Sequence, residues 1–457
     1  MNTTLLRPFV CLLCVTAFAV ANTQAAQHTW NNTGTDFNTA ASWANGVPGA
    51  GDVALFATAE AMQPNLSASD SIAGLYFMGA TSSGYDLTNG NNALLTLTGT
   101  SASGSNGTSN SSAAAIRSDI TSGTNTIDAP LMLSPSTGTQ STFVQASGGT
   151  LIVNGAISSA AGVNLSLRGG GTVQLNGSNS FATASIDTSG ETVVVGNNNA
   201  LGAGTFTVGS TATLQAGGGP RVLANDIVFG GTTTIGGSNA FTFNGNASTS
   251  GANSRTVTVS NTGGAIFNGN FVINGNTGPG TLVVNGTSNV TMNGTISDGA
   301  MGTSVLSHSG ANTLTLAHAN TYSGGTTMSN GTTVSTANGA FGTGNVSLTG
   351  SNVTLTLQGV TNSIADSATL NIGVLNNSGD VVNLNYSGTE TINMLVINGM
   401  VQAAGQYGAV GSGAQFENAD FAGTGFVNVL AAVPEPATWM LMGVGLLLGA
   451  QRLRRKR

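Results

Sequence analysis

Charge is scarce in this chain. Its 457 residues include 10 Lys+Arg and 17 Asp+Glu, so charged residues make up 6%, against roughly a quarter in an average soluble domain. Between Asn22 and Val433 the basic residues are only Arg117, Arg168, Arg221 and Arg255, and sixteen of the acids fall in the same stretch, which gives 4 − 16 = −12. A body of that sign repels nucleic acid and anionic lipid. Cysteine occurs only at Cys11 and Cys14, inside an N-terminal apolar run, so disulfides and thiolate metal sites are excluded once that run is removed. Proline, at nine residues, is too sparse for a proline-rich or collagen-like chain. Neither GxxxxGK[ST], nor GxGxxG ahead of a helical pattern, nor HExxH occurs, which removes the usual nucleotide and zinc-peptidase signatures.

What is present is 40% hydrophobic residues and 67 glycines. That apolar content is too high for disorder, and a chain this long can bury a sizeable core. With so little charge, the surface has to be built from Ser, Thr, Asn, Gln and Gly.

Six of the ten basic residues lie in the two ends. Arg7 precedes the apolar run from Phe9 to Val20, and Ala19-Val20-Ala21 supplies an A-x-A arrangement. Residues 1–26 therefore read as a secretory signal peptide, cleaved after Ala21, with Ala25 and Ala26 as alternative sites. At the other end Val433-Pro434-Glu435-Pro436-Ala437-Thr438 precedes an uncharged stretch from Trp439 to Ala450, then Arg452, Arg454, Arg455, Lys456 and Arg457. The prolines break any strand before them. The apolar stretch suits a helix shorter than the ~20 residues of a comfortable membrane span, and the basic tail favours the cytoplasmic side. A transient inner-membrane anchor is expected.

Between the ends run short alternating segments such as Leu94-Leu95-Thr96-Leu97, Thr172-Val173-Gln174-Leu175 and Val353-Thr354-Leu355-Thr356-Leu357. Period two predicts strands. Asn-Gly recurs between them, at 154–155, 176–177, 285–286, 293–294, 330–331 and 398–399. That pair suits a hairpin turn and a solenoid corner equally, so it does not separate the two.

Repetition does. Val153-Asn154-Gly155-Ala156-Ile157-Ser158 returns as Met292-Asn293-Gly294-Thr295-Ile296-Ser297, Thr172 to Leu175 as Thr313 to Leu316, and Ala200-Leu201-Gly202 as Ala340-Phe341-Gly342, at offsets of 139, 141 and 140. Units at 151–217 and 290–359 read as copies, with a possible divergent unit at 218–289, an N-terminal β region or cap at 27–150, and a C-terminal β module at 360–431. Multi-strand copies without helices predict an all-β, elongated β-solenoid, flanked by a signal helix and a short C-terminal hydrophobic helix. At ~20 residues per coil, about 20 coils would make a rod of roughly 100 Å.

Two resemblances follow from these residues. Pro434, Glu435 and Pro436, the apolar stretch, and the basic run at Arg452, Arg454, Arg455, Lys456 and Arg457 resemble the PEP-CTERM sorting signal, which covers residues 432–457. The resemblance implies export through the secretion machinery, recognition by an exosortase, and a place on the surface or in the exopolysaccharide matrix of a Gram-negative bacterium. These residues would be a processing site, not catalytic ones. Asn320-Thr321-Tyr322-Ser323-Gly324-Gly325-Thr326-Thr327, with Asn330-Gly331-Thr332 and Gly342-Thr343-Gly344, is similar to the autotransporter-associated β-strand repeat. In the first copy Phe181-Ala182-Thr183-Ala184-Ser185 replaces the Tyr-Ser-Gly-Gly-Thr core. The repeat implies a parallel β-helix displayed on the cell surface. The C-terminus does not carry the alternating strands of a membrane barrel, so self-translocation is not expected.

Chemistry-bearing residues are few. His28, His308 and His318 show no metal-ligand spacing, and dispersed acids more often cap turns than form a glycosidase pair. No metal, cofactor or nucleic acid is expected. Trp30 and Trp43 suit an end cap of the solenoid better than a sugar-stacking site. The reading is an exported, non-enzymatic structural or adhesive protein associated with extracellular polysaccharide; the alternatives are a secreted β-helix polysaccharide-degrading enzyme or a glycan-binding protein.

Overall fold

The computed structural model describes residues 25–79, 82–99, 114–251, 254–275, 277–373 and 379–430. The signal helix with Ala21, and the C-terminal helix with its Pro-Glu-Pro motif and basic tail, lie outside the described residues. Within them almost every strand pairs in parallel with the strand one coil before and one coil after it. The result is a β-solenoid of about 14 turns, with one short 3-10 helix, Ala40–Ser42, near its start.

Three faces make the coil. The first is a 12-stranded sheet running from Gln27–Thr29 to Ile296–Asp298, and the second a 16-stranded sheet from Asn65–Leu66 to Met400–Val401. The third comes in two stretches, one of four strands ending at Ile157–Ser159 and one of nine beginning at Arg221–Leu223. Alternation explains the packing. In Thr150–Val153, Leu151 and Val153 point inward, and the register with Thr172–Leu175 sets Val173 against Leu151 and Leu175 against Val153. Each such inward Leu or Val contributes on the order of 1.5–3 kcal/mol by burial. The buried side chains form one continuous core from Trp30 to Val429.

The rod is shorter than expected. Paired positions are separated by 19 residues where Leu165 meets Ala184, 27 where Thr258 meets Asn285, and 41 where Leu75 meets Ile116. Longer coils mean fewer of them, and 16 strands at ~4.8 Å span roughly 70 Å.

The Asn-Gly pairs divide by tertiary context. Asn398 and Gly399, with φ of 51° and 76°, form a two-residue turn between Ile397 and Met400, a true hairpin. Gly155 and Gly294 instead sit at corners where an added Cβ would overlap the carbonyls of Ala129 and Gly269 in the preceding coil. Glycine is required there by the approach of two backbones.

The two similar segments share a strand order but not a face. In the first, residues 176–183 carry the chain from the second face, Thr172–Leu175, to the first, Ala184–Ile186, without a strand on the third. In the second, residues 317–325 run from the third face, Thr313–Leu316, to the second, Thr326–Met328, and the first face is the one left out. The pattern is the same, turned by one face.

Aromatic rings close the N-terminal end. Trp30 and Trp43 meet edge to face at 5.1 Å, Phe37 and Trp43 at 4.9 Å, and Phe56 lies 4.9 Å from Phe77. At the other end the strand Phe426–Val429 runs parallel to Thr389–Ile392 and antiparallel to Gly405–Gly408. There Tyr407 stacks on Phe416 at 4.8 Å and Phe421 is buried, while Phe426 is only half-buried.

Candidate functional site

The processing residues expected from sequence, Ala21, Pro434, Glu435, Pro436, Arg452, Arg454, Arg455, Lys456 and Arg457, all lie outside the described residues. The solenoid does define where the C-terminal segment starts. Leu430 donates its amide to Ile392 O at 3.1 Å, so the last backbone bond among the described residues precedes Pro434 by only a few residues.

Several ionisable groups of the body make contacts within the fold. Arg117 bonds Asp119 at 2.9 Å, and Asp119 in turn accepts from the Tyr76 hydroxyl at 2.8 Å. Arg168 approaches Asp187 at 3.3 Å, and Asp298 accepts from Ser304 N, Ser323 N and Ser323 Oγ. His308 and His318 are not brought together as ligands. His308 is buried, with Nδ1 against Thr333 Oγ1 at 2.9 Å and Nε2 against Asn312 Oδ1 at 3.0 Å, and burial lowers its pKa. His318 is exposed at a corner, where it meets Thr295 Oγ1 at 3.0 Å. Among the described residues no three His, Cys, Asp or Glu side chains gather to hold a metal ion.

Acids approach one another in three places, Asp86 with Asp128, Asp420 with Asp380 and Glu390 with Asp366. Burial, then the nearby Asp128, raises the Asp86 pKa, and burial, then Asp380, raises that of Asp420. Asp128 is held by Asn154 Nδ2 at 2.6 Å, and Asp380 caps the Val353 amide at 2.9 Å. Each is thus tied into a coil contact.

Trp30 and Trp43 present no ring to a ligand. Trp30 and Trp43 are 1% and 3% exposed, and their indole N–H groups donate to Met62 O at 3.1 Å and Phe37 O at 2.7 Å. They are end-cap residues by position.

Sequence reading missed two features. Glu191 and Glu390 are both fully buried. Glu191 Oε2 accepts from Gly170 N at 2.7 Å while Oε1 has no partner, and burial pushes its pKa up to about 8. Glu390 accepts from Ser363 N and Ile364 N, both at 2.9 Å, and burial pushes it up to about 7. Nothing in either local sequence separates these acids from turn-capping ones.

The second feature is a column on the second face. Thr124, Thr150, Thr172, Thr192, Thr213, Thr234 and Thr258 come from seven successive strands and stand in register, each directly paired with the next. All seven are partly exposed, and no hydrogen bond ties their hydroxyls to the described chain. Beside them runs a second outward column, Thr126, Ile152, Gln174, Val194, Gln215 and Gly236. Neither column contains an ionisable residue. The available signal was a threonine opening the alternating strands Thr124–Ile127, Thr150–Val153 and Thr172–Leu175.

Comparison with known proteins adds one match. The model of the PEP-CTERM protein-sorting motif matches residues 432–457. No curated protein and no solved structure matches the chain. The sorting motif implies an exported protein handled by the secretion machinery and an exosortase, and places it at the surface or outside the cell.

Proposed function

We propose that this protein is a non-enzymatic structural scaffold of the cell surface or extracellular matrix, released from a transient membrane anchorage by exosortase processing and associated there with exopolysaccharide. The observation that carries the proposal is the joining of a 26-residue sorting motif to a parallel β-solenoid. A stack of coils whose inward chains form one core is stiff along its axis, which suits a load-bearing or spacing element. The similarity of residues 320–327 to the autotransporter-associated repeat agrees with display at a surface. Arg168 with Asp187, Glu191, Asp298 and Glu390 each bridge one coil to another, which favours the structural reading over a polysaccharide-degrading enzyme on the same fold.

Fractionation of producing cells tests it. The wild-type chain is expected in the surface and matrix fraction, shortened at its C-terminus, and Glu435→Ala together with loss of residues 452–457 should leave uncut chain in the membrane fraction. Wild-type chain that stays in the cytoplasm, or reducing ends released from a polysaccharide panel by the purified protein, would overturn the proposal.

A further inference from the structure

The threonine column from Thr124 to Thr258 offers a periodic set of hydroxyls that the fold itself does not use. Its seven members span six coil intervals, about 29 Å at ~4.8 Å each. With the neighbouring column two residues, about 7 Å, along the strand, and the breadth of the side chains themselves added, the strip is about 12 Å wide. That is roughly 350 Å², well under the ~800 Å² per partner of a standard protein interface. A second copy of this chain is further disfavoured because each body carries a formal −12. The same charge disfavours an anionic polymer. What fits is a ligand that is narrow, long, uncharged and rich in hydroxyls, and that repeats along its own axis.

We infer that this strip docks a linear, neutral polysaccharide lying along the solenoid axis, with successive sugars meeting successive threonines and the intervening Ile152 and Val194 packing against the apolar faces of the rings. The inference rests on the matrix reading above and assigns its polysaccharide contact to one face. Each hydroxyl contributes a weak bond, so affinity comes from many such bonds along one chain. Binding therefore rises with ligand length. With no charge in either column it is insensitive to salt.

The experiment uses the purified full-length chain in affinity electrophoresis through three neutral polymers, a soluble mixed-linkage β-glucan, a glucomannan and dextran, and through anionic alginate. Retention is expected in at least one linear neutral polymer, unchanged between low and high salt, and absent in alginate. The variant Thr172→Val/Thr192→Val/Thr213→Val/Thr234→Val removes four hydroxyls while keeping β-branched, strand-compatible side chains, and should weaken retention at least about tenfold with an unchanged melting temperature. Lack of retention in all three neutral polymers overturns the inference, as does equal retention of the variant. Should the variant lose stability, the single change Thr192→Lys at the centre of the strip replaces it and carries the same expectation. Thermal hysteresis of ice growth that depends on the same four threonines, without glycan retention, would assign the column to ice instead and also overturn it. Matrix localisation read in parallel separates the two levels: matrix-bound chain whose four-valine variant binds as well as wild type defeats the strip and leaves the scaffold standing.

Discussion

Asn179 and Asn320, 141 residues apart, make the same pair of bonds in different parts of the rod. Asn179 Oδ1 accepts from Ile157 N at 2.8 Å and its Nδ2 donates to Ala200 O at 2.7 Å; Asn320 Oδ1 accepts from Ile296 N and its Nδ2 donates to Ala340 O, both at 2.6 Å. Each side chain is buried in a segment without a strand and clamps the coil before it to the coil after it. Where the ladder is interrupted, the amide side chain supplies the missing backbone partner.

Removing that clamp should be costly. Asn320→Ala leaves a buried amide and a buried carbonyl without partners, each worth about 1–3 kcal/mol. Denaturant unfolding should show a loss of at least about 2 kcal/mol, with a similar loss for Asn179→Ala. A loss under half a kilocalorie in both would mean that water replaces the side chain.

The N-terminal cap should matter for folding and not for ligand contact. Trp43→Ala removes a ring that touches Trp30, Phe37 and Phe56, at about 3–5 kcal/mol for a large core truncation, and exposes the first sheet edge to pairing with other chains. The expected outcome is a lower melting temperature with concentration-dependent aggregation, read by calorimetry and light scattering.

Stability should fall as pH rises from about 5 to 8. Glu191 ordinarily titrates near 4.5 but near 8 in the fold. Its contribution is therefore complete below pH 4.5 and is lost progressively as pH climbs towards 8, because the unfolded chain ionises first. Glu390, raised to about 7, acts in the same direction. At 1.36 kcal/mol per pKa unit the swing is a few kcal/mol, visible in unfolding midpoints at pH 5 and 8. Glu191→Gln should flatten that slope, and an unchanged slope in the double variant with Glu390→Gln would exclude these acids as its cause.

Glycines crowded by the neighbouring coil should be intolerant, and turn glycines in open space less so. Gly294→Ala drives a methyl group into Gly269 O, which no rotamer change can relieve, and should destabilise by more than 1 kcal/mol. Gly302, with φ of 65° and open space around it, should show only the conformational penalty of about 1 kcal/mol when changed to Ala.

Much of this protein was legible in its sequence because the signals are local. Period two in Thr172 to Leu175 needs no partner to mean strand, and the near-constant offsets of the copied segments pointed to stacked coils. The order of motif, apolar stretch and basic tail after Val433 marked the sorting segment. The deficit of charge fixed the character of the surface.

Tertiary structure decided the rest. Asn293-Gly294 and Asn398-Gly399 are identical as dipeptides, yet one is a coil corner and the other a hairpin, because the distinction depends on which backbone lies alongside. Coil lengths from 19 to 41 residues hide the alignment of Thr124 to Thr258, which exists only once hydrogen bonding between coils sets the register. Burial of Glu191 and Glu390, and with it their altered protonation, likewise arises when distant coils close over them. Short-range preference determines what each segment becomes; long-range pairing determines which side chains become neighbours, and so where a site can be.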